Sequence, residues 1–219
     1  MIPMRINSIK LQLPVLTSAK SRLIARLKGD GSLFVAGKNK TNYYLKFFSV
    51  NDNELKVFSD DIKEVYGLKT KTAVKQSGKN PLKYVKNAFI RSKLAYEDMK
   101  RYGNFGSYDW SVPKDILGAS IEIKSEFLRT FAEDEGSVLI NNREVRIYSI
   151  NENGLMQLAD LFKDFGIETG IKKGYGVKRN VFGLIIRGKE RLIKFRDFIG
   201  FRSESKSKKL DILISSFKR

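Results

Sequence analysis

The sequence predicts an α+β protein built from two αββαββα halves related by a pseudo-two-fold axis. Three observations carry that reading. An apolar helical stretch ending in acid-Gly-Ser occurs twice, as Leu23-Ile24-Ala25-Arg26-Leu27-Lys28-Gly29-Asp30-Gly31-Ser32 and as Leu128-Arg129-Thr130-Phe131-Ala132-Glu133-Asp134-Glu135-Gly136-Ser137. Short matches recur in one order at nearly constant offset: Ser49-Val50-Asn51 with Ser149-Ile150-Asn151, Gly67-Leu68 with Gly166-Ile167, and Phe89-Ile90-Arg91 with Ile185-Ile186-Arg187. Segments of helical and of strand patterning also follow one another in the same order in both halves.

The elements follow in turn. After a lead-in containing Pro3 and Pro14, Thr17-Ser18 offers a helix N-cap, and the first helix runs to Gly29. A strand at 32–36, a polar turn at 37–41 and the aromatic run 42–50 make a hairpin. Asn53 is placed to cap a helix with Leu55, Phe58, Ile62 and Val65 on one face, ending at Gly67. Strands at 69–76 and 83–91 and a helix over 92–102 complete the first half. Residues 103–120, with Gly103, Gly106, Pro113 and Gly118, form the connection, and Trp110 is expected to pack at the seam. The second half repeats the order: a helix over 122–134, strands near 137–141 and 144–151, a helix capped by Asn153, strands near 168–174 and 180–187, and a helix over 189–199. A polar run at 203–209 then leads into a last helix. The expected units are therefore 1–102, 103–120 and 121–219.

Composition narrows the chemistry. Forty-two Lys and Arg face 24 Asp and Glu among 219 residues, a net charge of +18 spread along the chain. Such a surface attracts polyanions, nucleic acid above all. With no Cys and no His, thiolate nucleophiles, Ser-His-Asp triads and His- or Cys-ligated metals are excluded. Carboxylates are left as the agents of any catalysis, and they favour hard cations such as Mg²⁺. No apolar run approaches the roughly 20 residues that span a bilayer, and a secretory pattern is lacking at Met1-Ile2-Pro3-Met4-Arg5. An intracellular, cytoplasmic protein is expected, with an organellar one also open. The repeated helix ends suggest that Asp30 and Glu135 meet at the axis and hold metal.

The two helix ends, the repeated αββαββα order and Trp110-x-Val112-Pro113 ahead of the second helix together resemble the monomeric, two-motif LAGLIDADG homing endonucleases over nearly the whole chain. That resemblance implies two four-stranded antiparallel sheets forming a saddle over the DNA major groove, with the motif helices at the central interface. It implies a site-specific double-strand DNA endonuclease, acting as a monomer on a long asymmetric site with Mg²⁺ or Mn²⁺. An RNA-binding intron maturase, or a non-catalytic DNA-binding protein, is the alternative on the same scaffold.

The resemblance also assigns residues. The eighth motif position carries the catalytic, metal-holding acid, here Asp30 and Glu135, with the backbone carbonyls of Gly29 and Asp134 as candidate further ligands. The third and seventh positions are small in the family; here they are Ala25 and Gly29, then Thr130 and Asp134. Asp134 departs from that pattern and could tilt the seam or compete for metal. Lys28 is expected to point outward. Asn51 and Asn151 fall where a polar residue organises solvent, or else cap the next helix. Arg202 and Lys206 are candidates for a basic residue completing the site. Strand parity turns Leu45, Phe47, Val145 and Ile147 towards the helices. It turns Asn42, Tyr44, Lys46, Glu144, Arg146 and Tyr148 towards DNA. Lys71 and Lys75 share one face in the third strand, and Lys172, Lys173, Lys178 and Arg179 crowd the equivalent region of the second half.

Overall fold

A computed structural model describes residues 14–76 and 84–217, apart from the side chains of Lys75 and Gln76. The loop signal Gly78-Lys79-Asn80-Pro81 and the lead-in through residue 13 lie outside the described residues. The first half runs α1 (Ser18–Lys28), β1 (Gly31–Ala36), β2 (Asn42–Ser49), α2 (Asp52–Tyr66), β3 (Lys71–Gln76), β4 (Tyr84–Arg91) and α3 (Lys93–Lys100). A short helix, α4 (Lys114–Leu117), lies in the connection. The second half runs α5 (Ile121–Glu135), β5 (Gly136–Leu139), β6 (Glu144–Ser149), α6 (Glu152–Lys163), β7 (Gly170–Tyr175), β8 (Val181–Arg187), α7 (Lys189–Lys194) and α8 (Glu204–Ser215). Both sheets are antiparallel and four-stranded, in the orders β1-β2-β4-β3 and β5-β6-β8-β7. Among the described residues, no helix is long and apolar enough to cross a membrane.

Period-2 alternation puts one face of each sheet against the helices. Leu45, Phe47, Ala88 and Ile90 are buried in the first half, as are Val145, Ile147, Leu184 and Ile186 in the second. These residues join Leu23, Ile24, Leu27, Phe127, Leu128 and Phe131 of α1 and α5 in one core. The two motif helices lie side by side, and the Ser21 hydroxyl donates to the Ile123 carbonyl across them at 2.9 Å. Ala25 and Thr130 are fully buried there, so small side chains permit the approach. The connection docks onto the second half: the Trp110 ring lies 4.7 Å from Phe131 and its indole N–H donates to Ser149 Oγ at 3.2 Å.

Four expectations shift. The caps of α2 and α6 are Asn51 and Asn151, two residues ahead of Asn53 and Asn153; each accepts with its side chain from a first-turn N–H. The polar run at 203–209 is itself the start of α8, capped by Ser203. The helix predicted over 189–199 is α-helical only to Lys194, then widens to a π turn over Phe195–Ile199. A bulge between Lys173 and Tyr175 breaks the β7 register.

Candidate active site and nucleic-acid interface

The helix termini build the site. α1 ends at Lys28, and the Gly29 N–H closes onto the Ala25 carbonyl; α5 ends at Glu135, and the Gly136 N–H closes onto Ala132. The last carbonyls of each helix have no successor N–H within the helix, which leaves those of Gly29 and Asp134 available as ligands. The two ends touch. A Cβ placed on Gly29 would lie 3.3 Å from Asp134 Cβ and 3.6 Å from Glu135 Oε1. Gly29 and Glu135 line a common cleft of about 250 Å³ with Lys28, Ser107, Trp110, Tyr148, Ser149, Ile150 and Val181.

The carboxylates differ in their surroundings. Asp30 faces solvent. Neighbouring protein still raises its carboxyl above the ordinary range, against the pull of Arg26 and Lys206. Glu135 is pushed up to about 7, first by burial and then by repulsion from Asp30, with Lys206 opposing. Neither acid has a salt bridge among the described residues. Asp134 is different: its side chain is buried and its Oδ1 accepts from Arg26 Nη1 at 2.8 Å. Burial pushes it up to about 8, against the pull of Arg26. The other side of the Arg26 guanidinium holds Glu54. Asp134 Oδ1 is therefore tied into the seam by Arg26, while its buried Oδ2 has no hydrogen-bond partner among the described residues.

Two like charges crowded at one point, each favouring its neutral form, are what a divalent cation relieves. Mg²⁺ needs only one or two protein carboxylates. Asp30 and Glu135 fit that requirement; among the described residues no group of three or more acids forms a fuller cage.

Other candidates fall differently. Lys206 reaches the site: its charge acts on both Asp30 and Glu135, and its Nζ donates to the Glu133 carbonyl. Arg202 does not reach it. Its guanidinium is engaged by Thr130 Oγ1 and Glu126, and its backbone N–H by Glu133. Asn51 and Asn151 serve as caps. Asn151 is buried, and its amide also donates to the Trp110 carbonyl at 2.6 Å, leaving it turned into the seam. Lys28, expected outside, is buried; its Nζ donates to the carbonyls of Tyr102 and Asn104 at 3.0 and 2.8 Å. Burial pulls its amine down to about 7.

On the open faces, Asn42, Tyr44 and Lys46 share a side of β2, opposite to buried Leu45 and Phe47, and Lys71 pairs with Phe89 on that same side. Lys75 is in β3, with its side chain outside the description. In the second half, Arg146, Tyr148 and Lys172 lie on the open side. Lys173 pairs with Phe182, which packs against the core, and its Nζ lies 5.2 Å from that ring. It therefore belongs to the helix-side face, a correction that parity allows once Leu184 and Ile186 are seen to be buried. Lys178 and Arg179 are exposed at the tip of the β7–β8 hairpin. Glu144, expected towards DNA, is fully buried beneath Arg146 and Arg187. Arg187 is a residue that sequence reasoning missed, although its place in the repeat beside Ile186 was a usable signal.

Comparison with known proteins agrees with this geometry. Residues 122–200 match the family model described as a LAGLIDADG-like domain. The chain is 30% identical over 108 residues to homing endonuclease I-ApeI from Aeropyrum pernix, a match covering 48% of this chain and about half (47%) of that relative. Its fold matches I-DmoI in complex with DNA and Mn, with a TM-score of 0.65, 17% identity and coverage of 87% of this chain and 99% of that one. It matches I-WcaI bound to its DNA recognition sequence equally well, at TM-score 0.65, 16% identity, and 90% and 87% coverage. Those two structures hold DNA, and the intron RNA reading draws no support from them. Residues 122–200 thus resemble a LAGLIDADG-like domain, and the described residues share the fold of I-DmoI and I-WcaI.

Proposed function

We propose that this chain is a site-specific, metal-dependent double-strand DNA endonuclease that works as a monomer, with units 1–102 and 121–219 each binding one half of an asymmetric target. The observation that carries the reading is the juxtaposition of Gly29 and Glu135, which sets two acids without a salt bridge among the described residues at the adjoining ends of α1 and α5. Asp30 and Glu135 would hold Mg²⁺ or Mn²⁺, aided by the carbonyls of Gly29 and Asp134. When bound, the cation supplies an activated water and neutralises charge on the scissile phosphate. Lys206 brings a further positive charge to the same point. Arg26 holds Asp134 aside, so that the negative charge offered to a cation is that of the two motif acids. The cationic side chains of both open sheet faces position the duplex through its phosphates.

The test uses duplex DNA spanning the sequences that flank the gene, with Mg²⁺ and with EDTA. Wild-type protein should cut both strands only with metal. Asp30→Asn and Glu135→Gln should bind the same DNA and leave it uncut. Cutting by both variants, or cutting in EDTA, would overturn the proposal.

A further inference from the structure

The two open faces follow one plan with different residues. By the repeat, Tyr44, Lys46, Phe48, Phe89 and Arg91 of the first sheet correspond to Glu144, Arg146, Tyr148, Ile185 and Arg187 of the second. Arg91 lies opposite Tyr44, whereas Arg187 lies opposite Glu144. Lys46 sits among hydrocarbon, its Nζ 5.6, 5.7 and 5.2 Å from the rings of Phe34, Phe48 and Phe89. The outer corner of that sheet is lined by Lys69, Lys71 and Arg91 with Tyr44, Leu68, Phe89 and Ile90, and no acid is among them. Ammonium groups on flexible stems are point charges; they suit phosphate and discriminate poorly between bases.

The second sheet is built otherwise. Glu144 is fully buried, with one carboxylate oxygen accepting from Arg146 Nη2 and the other from Arg187 Nη2. Arg146 forms the floor. Its guanidinium lies 4.2 Å from the Tyr175 ring, Nη1 donates to the Tyr148 hydroxyl at 3.3 Å, and the side chain is only 11% exposed. Gly183 makes room for that stack, since a Cβ there would come within 2.8 Å of both Arg146 Cδ and Tyr175 Cε2. With Arg146 fixed, the Glu144 carboxylate is fixed, and with it one corner of the Arg187 guanidinium. The Arg187 side chain remains 63% exposed. Of its five N–H donors only one is committed to Glu144, so the rest of the fork is presented at a set angle.

We infer that Arg187 is a specificity-determining residue that reads a guanine in the C-terminal half-site, and that buried Glu144 is the residue that positions it. The inference rests on the endonuclease reading above. A planar fork held in one orientation matches the O6 and N7 acceptors of guanine in the major groove. A carboxylate beneath a DNA-binding face weakens general attraction for phosphate, so its place there favours discrimination over affinity. Tyr148 lines the acid cleft, and Glu144 is four residues along the same strand, about 13 Å away. The guanine is therefore about four base-pair steps farther out than the scissile region. The matching position of the other half, Arg91 on Tyr44, has no carboxylate anchor and contributes charge.

The experiment selects bound duplexes from a randomised library with wild-type protein, Arg187→Lys, Glu144→Gln and Arg91→Lys. Wild type should enrich one asymmetric site with a guanine at a single position well to one side of the cut. Arg187→Lys keeps the charge and the exposed position, so folding and salt dependence should hold. Discrimination for that guanine should fall roughly tenfold or more, with the rest of the site unchanged. Glu144→Gln should lose the same preference while binding non-cognate DNA at least as tightly. Arg91→Lys should leave every base preference in place. Retention of the guanine by Arg187→Lys, or its loss with Arg91→Lys, sinks the inference while the nuclease reading stands. If wild type enriches no sequence at all, both fall.

Discussion

Gly29 and Asp134 occupy the same position in the two motif helices and face each other across the seam, with only 3.3 Å between the Asp134 Cβ and the place a Gly29 Cβ would take. The pair sits one residue before the acids on each side. Gly29→Ala should therefore destabilise modestly, by about 1–3 kcal/mol as helices re-space, and shift Glu135 through its neighbour, because the tight contact of the new methyl is the 3.3 Å one with Asp134 Cβ. DNA cleavage should drop by far more than thermal stability. Unchanged cleavage at wild-type rate would show that the helix ends have slack.

The Asp134 side chain should be costly to remove because of its bond to Arg26. Asp134→Ala leaves buried Arg26 with Glu54 as its remaining partner. Breaking a buried pair by deleting one member costs about 3–5 kcal/mol, and the lower end applies because Glu54 stays. Urea denaturation would measure it.

Proton uptake should compete with metal. Glu135 is raised from the ordinary glutamate range to about 7, so the folded chain holds a proton there that the unfolded chain releases. Without metal, this group makes stability fall as pH rises from the ordinary value to about 7. A cation displaces the proton, so the melting-temperature gain from Mg²⁺ should be small near about pH 5.5 and grow through about pH 7. Glu135→Gln should flatten the profile. An equal gain across that range would contradict the assignment of Glu135 as a ligand.

Lys28 gives the opposite sign at higher pH. Burial lowers its amine to about 7, so above that value the unfolded chain binds a proton that the folded chain does not. Stability contributed by this group rises with pH from about 7 up to the ordinary lysine range, at a limiting slope of about 1.4 kcal/mol per pH unit. Lys28→Met should abolish that rise while loosening Tyr102 and Asn104, whose carbonyls it holds. Stability measured across the alkaline range would test both.

Gly154 should tolerate no side chain. A Cβ there would come within 2.6–2.7 Å of the Trp110 ring, the only tryptophan in the chain. Gly154→Ala should push the indole off α6, shift its fluorescence to the red and lower stability by about 1–3 kcal/mol. An unshifted emission spectrum would mean the connection had yielded without moving the ring.

The repeat made most of this architecture readable, because αββαββα order follows from local periods and turn residues that survive in both halves. The meeting of the two acid-bearing helix ends was readable for the same reason. What escaped the sequence depends on distant partners. A lysine at position 28 looks solvent-bound until the carbonyls of Tyr102 and Asn104 arrive to receive it. Glu144 looks exposed by parity until two arginines fold over it. Asn51 and Asn53 are both plausible caps by composition; backbone geometry chose the earlier one, as it did for Asn151. Lys173 was lost to a run of adjacent lysines, only one of which can face the groove on a given strand.

The bond between Arg26 and Asp134 carries one more implication. At the matching points by pseudo-symmetry the chain has Phe131 and Gly29, so cation and anion each occur on one helix only. Two first halves brought together would bury an arginine facing glycine, and two second halves a carboxylate facing an aromatic ring. Neither half can easily revert to pairing with its twin. Each half is built to meet the other, and Arg22 of α1 with Glu126 of α5 adds a second pair of opposite charges across the same seam.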